Sequence, residues 1–139
     1  IENNVLPYCE ANNIGVMVYS PLHKGLLTGK YTGTETFTDF RKHHPDFQGE
    51  RFAKIAQAVR SLGPLADKYG LSIYQLILAA TLMHPAIHVA VVGIKNVAQI
   101  REAIGARGKT LSREDYFAVR KALAIDNAGK LQDAKGEKK

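Results

Sequence analysis

Two short runs along the chain carry almost no polar positions: Ile14-Gly15-Val16-Met17-Val18-Tyr19 and Ile87-His88-Val89-Ala90-Val91-Val92. Runs of this length, rich in β-branched residues, predict strands buried on both faces, because a sheet covered by helices on each side has no polar face. Elsewhere the apolar positions follow helical spacing. Val5 to Asn12 reads as a helix that ends at Asn12-Asn13. Phe52, Ile55, Val59 and Leu62 form the stripe of an amphipathic helix, interrupted by Gly63-Pro64. Leu65 to Tyr69 adds a turn or two before Gly70. A further helix is predicted over Ser72 to Met83. There Ser72 and Gln75 have the spacing of a capping box, in which each side chain satisfies a free backbone N–H of the other, and His84-Pro85 closes the helix. Asn96 to Ile104 and Arg113 to Ala124 complete the series, the last capped by Ser112 with Asp115.

Between Ser20 and Glu50 nothing is periodic, so about thirty residues read as loop. Strands alternating with helices imply parallel β/α units and an α/β fold. A covered sheet normally needs at least three strands. With two in view, the remaining partners are expected from other sequence or another chain. The 139 residues amount to one domain at most, and Ile1 is not an initiator Met, so the chain reads as a piece of something longer. Residues from Lys130 to Lys139 lack apolar periodicity and read as a disordered tail, leaving 1–129 as the folded part.

Composition narrows the function classes. The most apolar stretch, Leu71 to Met83, contains Ser72, Tyr74, Gln75 and Thr81, which makes it too short and too polar to span a bilayer. No segment resembles a signal peptide, and a cytoplasmic location is expected. Cys9 is the only cysteine; it excludes an internal disulfide or a Cys-based zinc site and reads as a buried, inert thiol. The net charge of +6 comes from cations spread along the chain, without the alternating aromatics that a nucleic-acid stacking platform needs. No nucleic-acid partner and no membrane insertion are expected.

Ligand sites in α/β folds lie beyond the C-terminal ends of strands. Two segments occupy such places: Tyr19-Ser20-Pro21-Leu22-His23-Lys24, continuing to Lys30-Tyr31, and Gly93 to Ala103. Gly93 lets a ligand approach the backbone, and Lys95 stands just ahead of a helix whose free N–H groups and dipole favour a phosphate. Gln99 and Glu102 share a helix face and could hydrogen-bond a sugar or a base. The same residues would equally serve as an ordinary solvated surface.

The paired motifs resemble the C-terminal part of the aldo-keto reductases, in the branch that includes potassium-channel β subunits and many bacterial reductases. The resemblance is carried by Ser20-Pro21-Leu22, Gly25, Leu27-Thr28-Gly29-Lys30-Tyr31, Asp39-Phe40-Arg41 and Gly93, Lys95, Gln99, Ile100, Glu102, and it runs to about Leu123. It implies an incomplete (β/α)8 TIM barrel, here about two parallel strands with their helices. It also implies NADP(H) as cofactor and a small-molecule carbonyl substrate for the whole protein. On that resemblance, Tyr19 stacks on the nicotinamide, and Ser20, Pro21, Leu22, His23 and Lys24 line the pyrophosphate. Lys30 and Arg41 come from a flap above it. Gly93 and Lys95 face the 2′-phosphate, and Gln99 and Glu102 hold the adenosine. Ala103 stands where relatives usually have an asparagine near the adenine, which removes one expected hydrogen bond.

The family's catalytic Asp, Tyr, Lys and His come from the first half of the barrel, so no catalytic residue is assigned in this chain. The resemblance leaves two kinds of parent protein open: a carbonyl reductase, or a non-catalytic NADP(H)-binding regulatory subunit like the channel-associated members. No metal site is expected either, because the adjacent His43 and His44 would point apart and no second cluster completes a shell.

Overall fold

The computed structural model describes residues 1–125, so the expected tail from Lys130 lies outside the described residues. The elements are α1 (Val5–Ala11), β1 (Val16–Tyr19), α2 (Gly49–Arg60), α3 (Gly63–Lys68), α4 (Ile73–Leu82), β2 (Ile87–Val91), α5 (Val97–Ile104) and α6 (Arg113–Leu123). Three short 3-10 segments, a kinked His23–Thr28, Phe40–His43 and Pro45–Phe47, lie between β1 and α2. Local chemistry sets these limits. The Ser72/Gln75 capping box forms in both directions, Asn96 accepts the Gln99 N–H, and Ser112 accepts the Asp115 N–H. Pro64 occupies the first turn of α3, where its missing N–H costs nothing.

The two strands pair in parallel, with Val16 opposite Ile87, Met17 opposite Val89, Val18 opposite Ala90 and Tyr19 opposite Val91. They are the only sheet among the described residues. α2 turns Phe52, Ile55, Ala56 and Val59 inward, while α4 is buried over five consecutive positions from Leu76 to Ala80 and runs through the centre of the core. Cys9 is buried with a free thiol, as its apolar neighbours suggested.

The expectation of strands buried on both faces is not met. Met17 and Tyr19 are 65% and 84% exposed, and Val89 and Val91 nearly half exposed. Along β1 the partly buried residues, Val16 and Val18, alternate with exposed ones, because successive side chains point to opposite faces and only one face is packed. The apolar pattern specifies cover that the described residues do not supply.

One polar staple ties the C-terminal helix to the rest. Asp115 Oδ2 accepts Lys68 Nζ at 2.8 Å, Tyr69 Oη at 2.5 Å and Ser112 Oγ at 2.8 Å, and Tyr69 Oη also accepts the Ser112 N–H. Lys68 first, then Tyr69 and Ser112, hold the Asp115 carboxyl at about 2. Its folded pKa lies below the unfolded value of about 3.9, so its stabilising effect is complete above pH ~4 and is lost as pH falls toward ~2. Between those pH values the thermal midpoint of the wild-type chain is expected to fall more steeply than that of Asp115→Asn, as followed by circular dichroism. Parallel slopes would remove Asp115 from the acid response.

Candidate functional site

Parallel pairing of Tyr19 with Val91 brings the C-terminal ends of both strands together, so the two loops singled out in the sequence leave the sheet side by side. Tyr19 ends β1 with its ring in the open, and Ser20, His23 and Lys24 have positive φ (55°, 44° and 57°). This left-handed backbone at non-glycine residues folds the loop into a tight coil under the strand end. Within it, Leu22 is buried in the core, so only its backbone is available to a ligand. Lys24 and Lys30 are exposed; their ammonium groups lie 5.7 Å from the Phe40 ring centre and 4.8 Å from that of Tyr31. His23 turns away from them. Its Nε2 is 2.7 Å from Asp46 Oδ2, and its ring stacks on Phe47.

The long loop is ordered by a cluster that periodicity could not reveal. Tyr31, Phe37, Phe47 and Phe52 meet pairwise, with ring centres 5.1 Å to 6.3 Å apart. Tyr31, Phe37 and Phe47, scattered through a polar stretch, were the available signal, and Phe52 of α2 completes the cluster. The loop closes on α2 so tightly at Gly33 (φ 98°) that an added Cβ would stand 2.5 Å from the Ala53 Cα. Gly33→Ala is therefore expected to cost more than about 1 kcal/mol in urea unfolding, from strain and clash together. A neutral result would mean the loop shifts freely.

This scaffold presents Arg41. Its guanidinium grips both oxygens of Asp39, donates to Tyr31 Oη at 2.5 Å and lies 4.5 Å from the Phe37 ring centre. The Arg41 hydrogen bonds hold the Asp39 carboxyl at about 2, and the positive charge of Lys95 contributes. The flap thus reaches electrostatically to the loop after β2. In that loop the Lys95 N–H donates to Gln99 Oε1 at 2.7 Å, and open space flanks Gly93. Glu102 is engaged elsewhere: its carboxylate accepts Ser72 Oγ, and its backbone carbonyl accepts Gln75 Nε2 at 3.0 Å, which bolts α5 onto α4. Tyr19 and Ser20 after β1 and Gly93, Lys95 and Gln99 after β2 therefore start from the same end of the sheet, while Lys24 and Lys30 continue the first loop and Arg41 stands in the flap. His23, Leu22 and Glu102 are committed to internal contacts. A separate cavity of about 830 Å³ between the residues preceding α1 and helices α4 and α6 includes Pro21 alone of the candidate residues.

A profile of the Aldo/keto reductase family matches residues 1–124. The chain belongs to that family. "Aldo-keto reductase YhdN" of Bacillus subtilis is 38% identical over 118 residues, covering 83% of this chain and 36% of that protein. "Aldo-keto reductase yakc [NADP(+)]" of Schizosaccharomyces pombe is 33% identical over 129 residues, 91% of this chain and 37% of the relative. The "NADH-specific methylglyoxal reductase" of Escherichia coli is 34% identical over 120 residues, 86% and 37%. Among solved structures, the glycerol dehydrogenase AKR11B4 from Gluconobacter oxydans superposes with a TM-score of 0.82 at 33% identity, over 89% of this chain and 38% of that one. The chain thus spans little more than a third of the length of these relatives, and the two parallel strands with their helices are a part of the aldo/keto reductase barrel.

Aldo/keto reductases use nicotinamide cofactors, and the residues present suit one. A dinucleotide needs an exposed ring platform, cations or N–H donors for its phosphates, and backbone that can be closely approached. Tyr19 offers the first, Lys24, Lys30, Arg41 and Lys95 the second, and the open flank of Gly93 the third. Among the described residues no helix is long and apolar enough to cross a membrane.

Proposed function

We propose that the chain supplies the cofactor-gripping part of an NADPH-dependent aldo/keto reductase that reduces aldehydes or ketones. The observation that carries this reading is the Tyr19–Val91 pairing, which sets the two phosphate-suited loops side by side at one end of the sheet. Tyr19 would face the nicotinamide, the loop from Ser20 to Lys24 with Lys30 and Arg41 the pyrophosphate, Gly93 and Lys95 the 2′-phosphate, and Gln99 with Glu102 the adenosine. Glu102 would act there only by giving up Ser72, so its part is the most dependent on rearrangement. When bound, the cofactor supplies the hydride; this chain's residues orient it and offset its charge. The proton donor and its partners belong to the family's first half-barrel.

Two preparations test the reading. The full-length protein containing this chain is expected to oxidise NADPH in step with reduction of a small aldehyde. The purified 139-residue chain is expected to oxidise none under the same conditions. Turnover by the chain alone would overturn the placement of the catalytic groups, and failure of the full-length protein with a broad carbonyl panel would overturn the reductase reading.

A further inference from the structure

We propose that His23, His44 and Asp46 form a binding site for a transition-metal dication of the Zn2+ class. Their ligand atoms all lie within 4.8 Å of one another. The three come from two segments: His23 from the coil after β1, and His44 and Asp46 from the turn leading into α2. The objection that His43 and His44 point apart holds, but the fold supplies what the local sequence lacked. His43 is exposed, whereas His44 turns inward to meet His23, a residue 21 positions earlier.

The geometry is close to what a metal requires. Asp46 Oδ2 is 2.7 Å from His23 Nε2 and 3.9 Å from His44 Nδ1. Donors around a tetrahedral Zn2+ with bonds of about 2.0–2.1 Å stand roughly 3.3–3.5 Å apart, so modest side-chain adjustments make the shell. Asp46 divides its two oxygens between tasks. Oδ1 accepts Arg51 Nε at 2.5 Å, the kind of outer contact that orients a ligating carboxylate, and Oδ2 faces the imidazoles. The Asp46 N–H donates to His44 Nδ1 at 3.2 Å, which places the His44 lone pair on the nitrogen that faces the cluster. Both rings are held in place: they meet edge to face at 5.2 Å, and each also contacts Phe47. The side chains are 37%, 22% and 18% exposed, open enough for an ion and a water in the fourth position.

Imidazole nitrogens with one carboxylate suit Zn2+, Co2+ or Ni2+ rather than Mg2+ or Ca2+. The metal takes the Nε2 lone pair of neutral His23, so a proton on that nitrogen facing Asp46 Oδ2 passes to Nδ1, or to solvent from an imidazolium ring; the weak Asp46 N–H contact to His44 gives way to the metal bond, and no electron moves. The nearby positive charges of Lys24 and Arg51 limit affinity, since Asp46 is the single carboxylate of the cluster. The bound ion would lock the coil after β1 to the turn before α2, fixing the loop that carries Lys24.

The test is calorimetric titration of ZnCl2 into the 139-residue chain, after circular dichroism confirms that each variant is folded. One ion per chain is expected for the wild type and for His43→Gln. His23→Gln and His44→Gln are each expected to weaken binding by at least about tenfold. Unchanged affinity in both variants, or no binding by the wild type at millimolar Zn2+, overturns the proposal. Should either variant fail to fold, CoCl2 added to the wild type decides instead. Intense visible bands of four-coordinate Co2+ support the site, and the weak spectrum of hexa-aqua Co2+ rejects it.

Discussion

Phe52→Ala is expected to destabilise the chain by about 3–5 kcal/mol, as measured by urea unfolding. Phe52 is 2% exposed, and its ring centre lies 5.7 Å from Tyr31, 5.5 Å from Phe37 and 5.9 Å from Phe47. Removing it deletes a large buried surface and leaves a cavity that cannot readily collapse, because three of its walls belong to a loop without regular hydrogen bonding. The damage should not be uniform. α4, buried through Leu76 to Ala80, is also held by β2, α3, α5 and α6, so its amides should keep more of their protection from exchange. The amides between Tyr31 and Phe47 should lose theirs first. A loss of stability below about 1 kcal/mol, or uniform deprotection, would show that the aromatic cluster does not order the loop.

That cluster marks the boundary of what the sequence made legible. Helices and strands followed from local signals: the stripe on α2, the capping box at Ser72, the caps at Asn96 and Ser112, and the two β-branched runs. Each depends on residues a few positions apart, and each appears within one or two residues of its expected place. The loop did not read this way. Its order comes from contacts such as Tyr31 to Phe52 and His23 to Asp46, which join residues about twenty apart and leave no period. The strands failed in the opposite sense. Their apolar residues specify strand, and strands form, but the pattern also specifies a more covered sheet than these residues build, so Tyr19 and Met17 stand exposed. At the candidate site, residue types were legible and commitments were not. Nothing in Gly93 to Glu102 shows that Glu102 bonds Ser72, or that Arg41 arrives already paired with Asp39.

In the full-length protein, Lys95→Ala is expected to weaken NADPH binding by about 10–100-fold while leaving NADH within about twofold. A hydrogen bond between charged groups contributes roughly 1.5–3 kcal/mol, and each 1.4 kcal/mol is tenfold in affinity. The two cofactors differ only in the 2′-phosphate, so the ratio of the two losses isolates that group. Lys95 is suited to it: its backbone is fixed through the Gln99 contact, and its side chain is exposed beside the start of α5. Lys95→Arg should recover much of the loss, since charge is retained even though the geometry changes. Comparison with a flap variant adds a control. Arg41→Ala should weaken both cofactors, because a pyrophosphate contact is common to them, and it also removes the partner of Asp39. Equal losses for NADPH and NADH in Lys95→Ala would take Lys95 away from the 2′-phosphate. Tighter binding of NADH than NADPH by the unaltered protein would turn the cofactor assignment toward that of the NADH-specific relative, with the rest of the site reading intact.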